Sequence, residues 1–270
     1  MTIIQAIIIA IVEGLTEYLP VSSTAHMIFT SSIFKIQEDN FVKMFQVSIQ
    51  FGAILSVVFV YWKKFFDFKN INFYLKLSAA VVPALVLGKL FDDKIEAVLE
   101  KPIPIAIVMI VGGIILLFID KLFTKPLVHT EKEISFKSAI IIGFWQCLAM
   151  MPGTSRSAAS IIGGMQQKLS RKAAAEFSFF LAVPTMLAVT TYSVFLKDWN
   201  ENGVEIKGFE LLFSGNNLMY FIIGNIVAFI VAVIAIKFFI EVITKYGFKP
   251  WAWYRIIMGI ILLIYFSFIQ

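Results

Sequence analysis

The sequence predicts an all-α integral membrane protein, and three observations lead there. Of the 270 residues, 59% are hydrophobic and only 15% charged, against about 25% charged in a soluble domain. The mean hydropathy is +0.86, and the apolar residues run in uncharged blocks near the roughly 20 residues that a helix needs to cross a bilayer. Two short polar segments interrupt the blocks and resemble each other. One is Glu13-Gly14-Leu15-Thr16-Glu17-Tyr18-Leu19-Pro20-Val21-Ser22-Ser23-Thr24-Ala25-His26, the other Met150-Met151-Pro152-Gly153-Thr154-Ser155-Arg156-Ser157-Ala158-Ala159-Ser160. An offset of 132 residues aligns Pro20 with Pro152 and Ser22-Ser23 with Thr154-Ser155.

In chain order, residues 3–12 are too short to span unless the polar segment continues the helix. Residues 41–62 make a full span, ended by Lys63-Lys64, and 73–90 another, ended by Asp92-Asp93-Lys94. Residues 103–119 follow, then a polar loop to Lys137. Residues 138–151 are short and break at Pro152-Gly153; 173–196 span with an interruption at Pro184; 217–240 and 256–269 come last.

The likeness extends past the polar segments. Phe45-Gln46-Val47-Ser48-Ile49 matches Ala175-Glu176-Phe177-Ser178-Phe179, and Gly113-Ile114-Ile115-Leu116-Leu117 matches Gly259-Ile260-Ile261-Leu262-Leu263. Three matches in one order predict an internal duplication within a single polytopic domain, 1–270, with one repeat over about 1–120 and a second over about 136–270. Short apolar pieces broken by Pro or Gly at matching places mark broken or re-entrant helices of inverted repeats. Irregular backbone at membrane depth is tolerated only when buried in protein or lining a wet cavity. Both polar segments are therefore expected in one polar cavity between two halves of inverted topology.

Composition excludes several classes. No polar stretch is long enough for a separate soluble domain. The net charge of +5 and pI near 9.1 suit a protein beside anionic headgroups. Lys and Arg are scattered through loops, which argues against nucleic acid as a partner. The single cysteine, Cys147, rules out an internal disulfide and a cysteine metal cluster; it reads as a small core residue. The chain opens directly into an apolar run, so no removable signal peptide is expected.

Ionisable groups at membrane depth are costly and are functional candidates by default. Glu13 and Glu17, four residues apart, share a helix face. Two bare carboxylates so close repel, and a hard divalent cation with oxygen ligands relieves that; the bland alternative is a solvated interfacial pair. Ser22, Ser23 and Thr24 follow Pro20, where hydroxyls cap a helix N-terminus and where such an end binds anions. His26 lies within a turn of Ser23 and suits a base, an acid or a nucleophile. His129 sits in the polar loop and reads as solvated. Arg156, between Ser155 and Ser157, is suited to grip phosphate oxygens in a bidentate fork, with backbone N–H groups of the Pro152-Gly153 break and the Thr154 hydroxyl beside it. Arg171-Lys172 reads as a membrane-surface anchor, and Arg255, after Trp251 and Trp253, as an interfacial anchor. Together the segments supply what a phosphate ester needs: anions for a metal, a proton-transfer or nucleophilic group, and a cationic clamp.

The segments EGLTEYLPVSSTAHMI and QCLAMMPGTSRSAASIIGGM closely resemble the two signature motifs of the undecaprenyl-diphosphatase family, the bacitracin-resistance membrane phosphatases. FSFFLAVPTM and YRIIMGIILL extend the likeness along nearly the whole chain. Ala25 and Ala158 stand where the family usually has glycine, which implies tighter helix contact. The resemblance implies a bacterial plasma-membrane enzyme that hydrolyses undecaprenyl diphosphate to the monophosphate and inorganic phosphate, so recycling the lipid carrier of cell-wall synthesis. It also implies a divalent cation, Mg²⁺ or Ca²⁺, interlocked inverted repeats and a site towards the extracytoplasmic side. By position it makes Glu13, Glu17, Ser23, His26 and Arg156 the family's functional residues. Ser23 attack assisted by His26 is the expectation, and direct attack by His26 the alternative. The partners expected are a polyprenyl diphosphate and membrane lipid, with a homodimer compatible. A transporter of polyprenyl phosphate is the second reading, because inverted repeats and broken helices are also transporter architecture.

Overall fold

A computed structural model describes residues 1–91, 95, 97–98, 101–201 and 203–268. Helix α1 (Ile3–Thr16) does not stop with the apolar run but continues into the first polar segment and carries Glu13. It starts at a capping box in which the Thr2 hydroxyl accepts from Gln5 N and the Gln5 side chain accepts from Thr2 N. Helix α2 (Ser23–Ile33) begins six residues after the α1 cap, Glu17, past a turn through Pro20. Helix α3 (Asn40–Val60) is capped by the Asp39 side chain, α4 (Ile71–Leu90) contains Pro83, and α5 (Pro102–Leu122) starts with proline in its first turn. The stop signal Asp92-Asp93-Lys94 lies outside the described residues, as does Ile269.

The second half opens with α6 (Phe136–Cys147), capped by Ser135. A single 3₁₀ turn, Leu148–Met150, leads into the Pro152-Gly153 break. Cys147 is half-buried at the end of α6 and not in the core. Helix α7 (Arg156–Gln166) follows, then α8 (Arg171–Thr191). The expected interruption at Pro184 does not occur: α8 runs through it and loosens only afterwards, into a π-helical turn, Tyr192–Leu196. Burial on both sides of the proline, from Ala173 to Thr185, holds the helix together. A hairpin of two four-residue strands, β1 (Asp198–Glu201) and β2 (Val204–Lys207), precedes α9 (Asn217–Tyr246). The last helix, α10 (Lys249–Phe268), begins seven residues before the expected start, so Trp251 to Arg255 lie on a helix and not ahead of one.

Among the described residues, six helices are long and apolar enough to cross a membrane: α3, α4, α5, α8 with its π turn, α9 and α10. The molecule is a multi-pass membrane protein. Helix α9 shows the division of faces, with Ile230, Ile234 and Phe238 more than half exposed and Ala228, Ala232 and Phe239 buried. Exposed isoleucines four apart are normal where lipid is the solvent. The packing partners cross between the halves. Helix α1 lies against α9, α6 against α4, α5 against α10, and α3 against both α8 and α9. Close approach at the α1–α9 contact depends on Gly14, where a Cβ would stand 2.7 Å from the Ala228 carbonyl oxygen. Ala25 and Ala158 are both buried, and Ala25 packs with Ile105, Ala106, Met109 and Leu262.

Candidate functional site

The two short apolar helices, α1 and α6, each end in a loop that turns into a second helix. The helix N-termini after these loops meet. Ser22, before α2, has φ 71 and ψ 88; Ser155, before α7, has φ 73 and ψ 114. Both are left-handed non-glycine residues, a strained state that recurs at functional sites. The backbone thus pairs Ser22 with Ser155, an offset one greater than the proline alignment, because Gly153 (φ 93) inserts a residue between proline and cap. The first residue of α2 is Ser23 and the first of α7 is Arg156, so a hydroxyl and a guanidinium occupy equivalent places. Ser155 caps its own helix by accepting from Ala158 N, whereas Ser22 makes no side-chain cap bond. The start of α2 is therefore left for an anion.

A cavity of ≈ 140 Å³ lies between the loops, lined by Glu17, Ser22, Ser23, Thr24, Ser155, Arg156 and, from α3, Gln50. A wider groove of ≈ 400 Å³ beside Asn216, Met219 and Ile222 has no ionisable lining; the ionisable side chains line the smaller one. At its wall Arg156 Nη2 donates to Glu17 Oε1 at 2.8 Å, with the two side chains 8% and 4% exposed. Arg156 Nη1 donates to the Ser178 carbonyl at 3.0 Å. Ser23 Oγ donates to the other Glu17 oxygen, Oε2, at 2.8 Å. One carboxylate therefore joins the hydroxyl of the first loop to the guanidinium of the second. Glu13 lies fully buried behind, facing Glu17, Ser23 and Arg156; neither of its oxygens has a hydrogen-bond partner among the described residues. Buried polar groups are nearly always paired, so this orphaned carboxylate is the feature that a cation would satisfy. Among the described residues no group of three His, Cys, Asp or Glu side chains forms.

His26 is buried one turn into α2, and its ring nitrogens bond to groups other than Ser23. Its Nδ1 lies 2.7 Å from the Ser22 carbonyl and its Nε2 2.8 Å from the Tyr254 hydroxyl. Ser157 turns away from the cavity and donates to the Leu19 carbonyl at 2.9 Å, tying the loops together. Thr154 contributes its carbonyl to Arg255. Arg255 corrects the expected interfacial anchor: it is 0% exposed. Its nitrogens donate to the carbonyls of Met109, Pro20, Thr154, Val108 and Gly153 at 2.8–3.4 Å. It braces both loops against α5, in space left by Gly112. Gln50, Tyr254 and Arg255 are the residues that sequence reasoning missed. An arginine in an apolar block was the available signal for Arg255, and a pair of amides, Gln46 and Gln50, on one helix face of the 41–62 span for Gln50.

Two helix N-termini, a buried arginine and a hydroxyl bonded to a carboxylate, inside a multi-pass helical protein, define a membrane protein suited to an anionic phosphate group. The chain belongs to the family described as "Bacitracin resistance protein BacA", which matches residues 6–261. It is 52% identical over 271 residues to an undecaprenyl-diphosphatase of Flavobacterium johnsoniae, covering 100% of this chain and 98% of the relative. It is 49% identical over 281 residues to one from Porphyromonas gingivalis, covering 98% and 96%. An undecaprenyl-diphosphatase 1 of Clostridioides difficile is 41% identical over 275 residues, again covering 98% and 96%.

Proposed function

We propose that this chain hydrolyses undecaprenyl diphosphate to undecaprenyl phosphate and inorganic phosphate, recycling the lipid carrier and conferring bacitracin resistance. The observation that carries the reading is the Ser23–Glu17–Arg156 contact across the two loops. The terminal phosphoryl group enters at the N-terminus of α2, gripped by Arg156. Ser23 Oγ attacks phosphorus while Glu17 Oε2, already bonded to that hydroxyl, takes its proton. The bond from phosphorus to the bridging oxygen breaks, undecaprenyl phosphate leaves, and water then hydrolyses the phosphoserine to release phosphate. Glu17 rather than His26 is in place to receive the proton; His26 holds the Ser22 carbonyl and so orients the attacking residue. Thr24, Ser155 and Gln50 offer polar contacts to the equatorial oxygens.

Glu13, with Glu17 beside it, suits a divalent cation, Mg²⁺ or Ca²⁺, because its two buried oxygens lack partners. Such a cation, when bound, neutralises the carboxylates and draws charge from phosphoryl oxygens. On this reading the cavity opens towards the extracytoplasmic side of the bacterial plasma membrane. We read the two halves as duplicated units, about 1–120 and about 136–270; the crossed packing of α1 on α9 and α6 on α4 supports an interlocked arrangement.

Phosphate release by purified protein in detergent tests the reading, since detergent removes any second compartment. Release from a polyprenyl diphosphate, abolished in Ser23→Ala, is expected. Binding without release would turn the reading towards a transporter of polyprenyl phosphate. A trapped acid-stable phosphoenzyme on Ser23 supports serine attack; an acid-labile one on His26 reverses the assignment.

A further inference from the structure

We propose that Tyr254 is a positioning residue for this reaction, acting through His26 on the backbone that presents Ser23. A chain of contacts runs from α10 to the α1–α2 loop. The Tyr254 hydroxyl lies 2.8 Å from His26 Nε2, and His26 Nδ1 lies 2.7 Å from the Ser22 carbonyl. The two rings are nearly parallel, at 11°, with centroids 5.6 Å apart. A carbonyl only accepts, so Nδ1 bears the proton in this contact; in the neutral ring Nε2 is then the acceptor, and Tyr254 donates to it. Both ring nitrogens are committed, and the imidazole has one orientation and one tautomer.

The consequence falls on Ser22. Its φ of 71 is a conformation that a non-glycine residue keeps only when its surroundings impose it. Its side chain supplies no cap bond, and its carbonyl accepts from the His26 backbone N–H only at 3.4 Å, so the imidazole N–H at 2.7 Å is the shorter hold on that peptide. Ser23 follows directly, and its hydroxyl must stay 2.8 Å from Glu17 Oε2 to lose its proton there. Tyr254 thus fixes His26, His26 fixes the Ser22 peptide, and that peptide aims Ser23. Arg255, the next residue of α10, braces the same loop at the Pro20 carbonyl. The inference rests on the proposed orienting role of His26.

Tyr254→Phe removes only the hydroxyl and keeps the stacked ring. The protein has two histidines, so histidine-selective ¹⁵N labelling yields a spectrum of two imidazoles, and His129→Gln, an exposed loop change, assigns them. The wild-type spectrum is expected to show His26 as the Nδ1–H tautomer with a hydrogen-bonded Nε2. In Tyr254→Phe the Nε2 resonance moves to that of a free acceptor, and kcat for phosphate release falls about three- to tenfold, the scale of one lost hydrogen bond. KM stays within about twofold, because Arg156 and the α2 N-terminus still grip the substrate. An Nε2–H tautomer in the wild type, or Tyr254→Phe with wild-type kcat, overturns the proposal. If His26→Ala is crippled while Tyr254→Phe turns over normally, this inference fails and the role of His26 stands. A fully active His26→Ala variant overturns both.

Discussion

Glu17 spends one oxygen on Arg156 and the other on Ser23, so its replacement disconnects the two loops chemically. Glu17→Gln keeps the shape but has only one acceptor oxygen, and kcat is expected to fall by about 10²–10⁴; a phosphate-release assay on folded protein measures it. Arg156→Lys keeps the charge and loses the fork that reaches both Glu17 and the Ser178 carbonyl, so turnover stays badly impaired; near-normal kinetics would remove Arg156 from the site. Glu13 behaves differently, because its oxygens have no partner. Glu13→Gln should raise stability in chelator by about 1 kcal/mol, by removing a buried charge, yet abolish any response to divalent cation. A thermal melt with and without chelator reads both. These residues were legible in the sequence, since carboxylates and an arginine stand out in apolar surroundings. The acceptor for the Ser23 hydroxyl was not: Glu17 is six residues away across a turn, while His26 is the nearer residue in helical spacing.

The two loop-to-helix turns are the working elements, and their geometry is held from outside. Arg255 satisfies three loop carbonyls, those of Pro20, Gly153 and Thr154, besides two on α5. Arg255→Met leaves buried acceptors unpaired at about 1–3 kcal/mol each, not additively, so a loss of order 3 kcal/mol or more in unfolding stability is expected, with lost turnover. Arg255→Lys recovers only part, one ammonium replacing a fork. Gly14→Ala sets a Cβ 2.7 Å from the Ala228 carbonyl oxygen and 2.8 Å from the Val231 Cβ, neither able to move cheaply. It should cost about 1–3 kcal/mol and displace α1, with Glu13, from α9; a melt and a kcat measurement check the two effects. The break at Pro152-Gly153 is legible because both residues punctuate helices. The brace is not, since a backbone carbonyl leaves no mark in a sequence and an arginine near tryptophans reads as an interfacial anchor.

At the scale of the whole molecule, each half supplies the other with its packing partner: α1 needs α9, and α6 needs α4. Neither half should turn over alone. A chain cut in the exposed loop at residues 124–127 and co-expressed as two fragments should reassemble and recover activity; a pair that co-purifies without activity would sink the shared site, and fragments active singly would sink the crossed packing. The sequence by itself determined the solvent, the number and order of apolar helices, and the residue types that bear the chemistry, because hydropathy and helical spacing are local properties. Helix ends moved where local signals met tertiary contacts: α8 continues through Pro184 because it is buried there, and α10 starts early enough to bring Tyr254 and Arg255 onto its face. Only the tertiary structure decided which groups meet. The Glu17–Arg156 pair spans 139 residues and the His26–Tyr254 pair 228, and such partnerships are set by how helices cross and not by spacing along the chain.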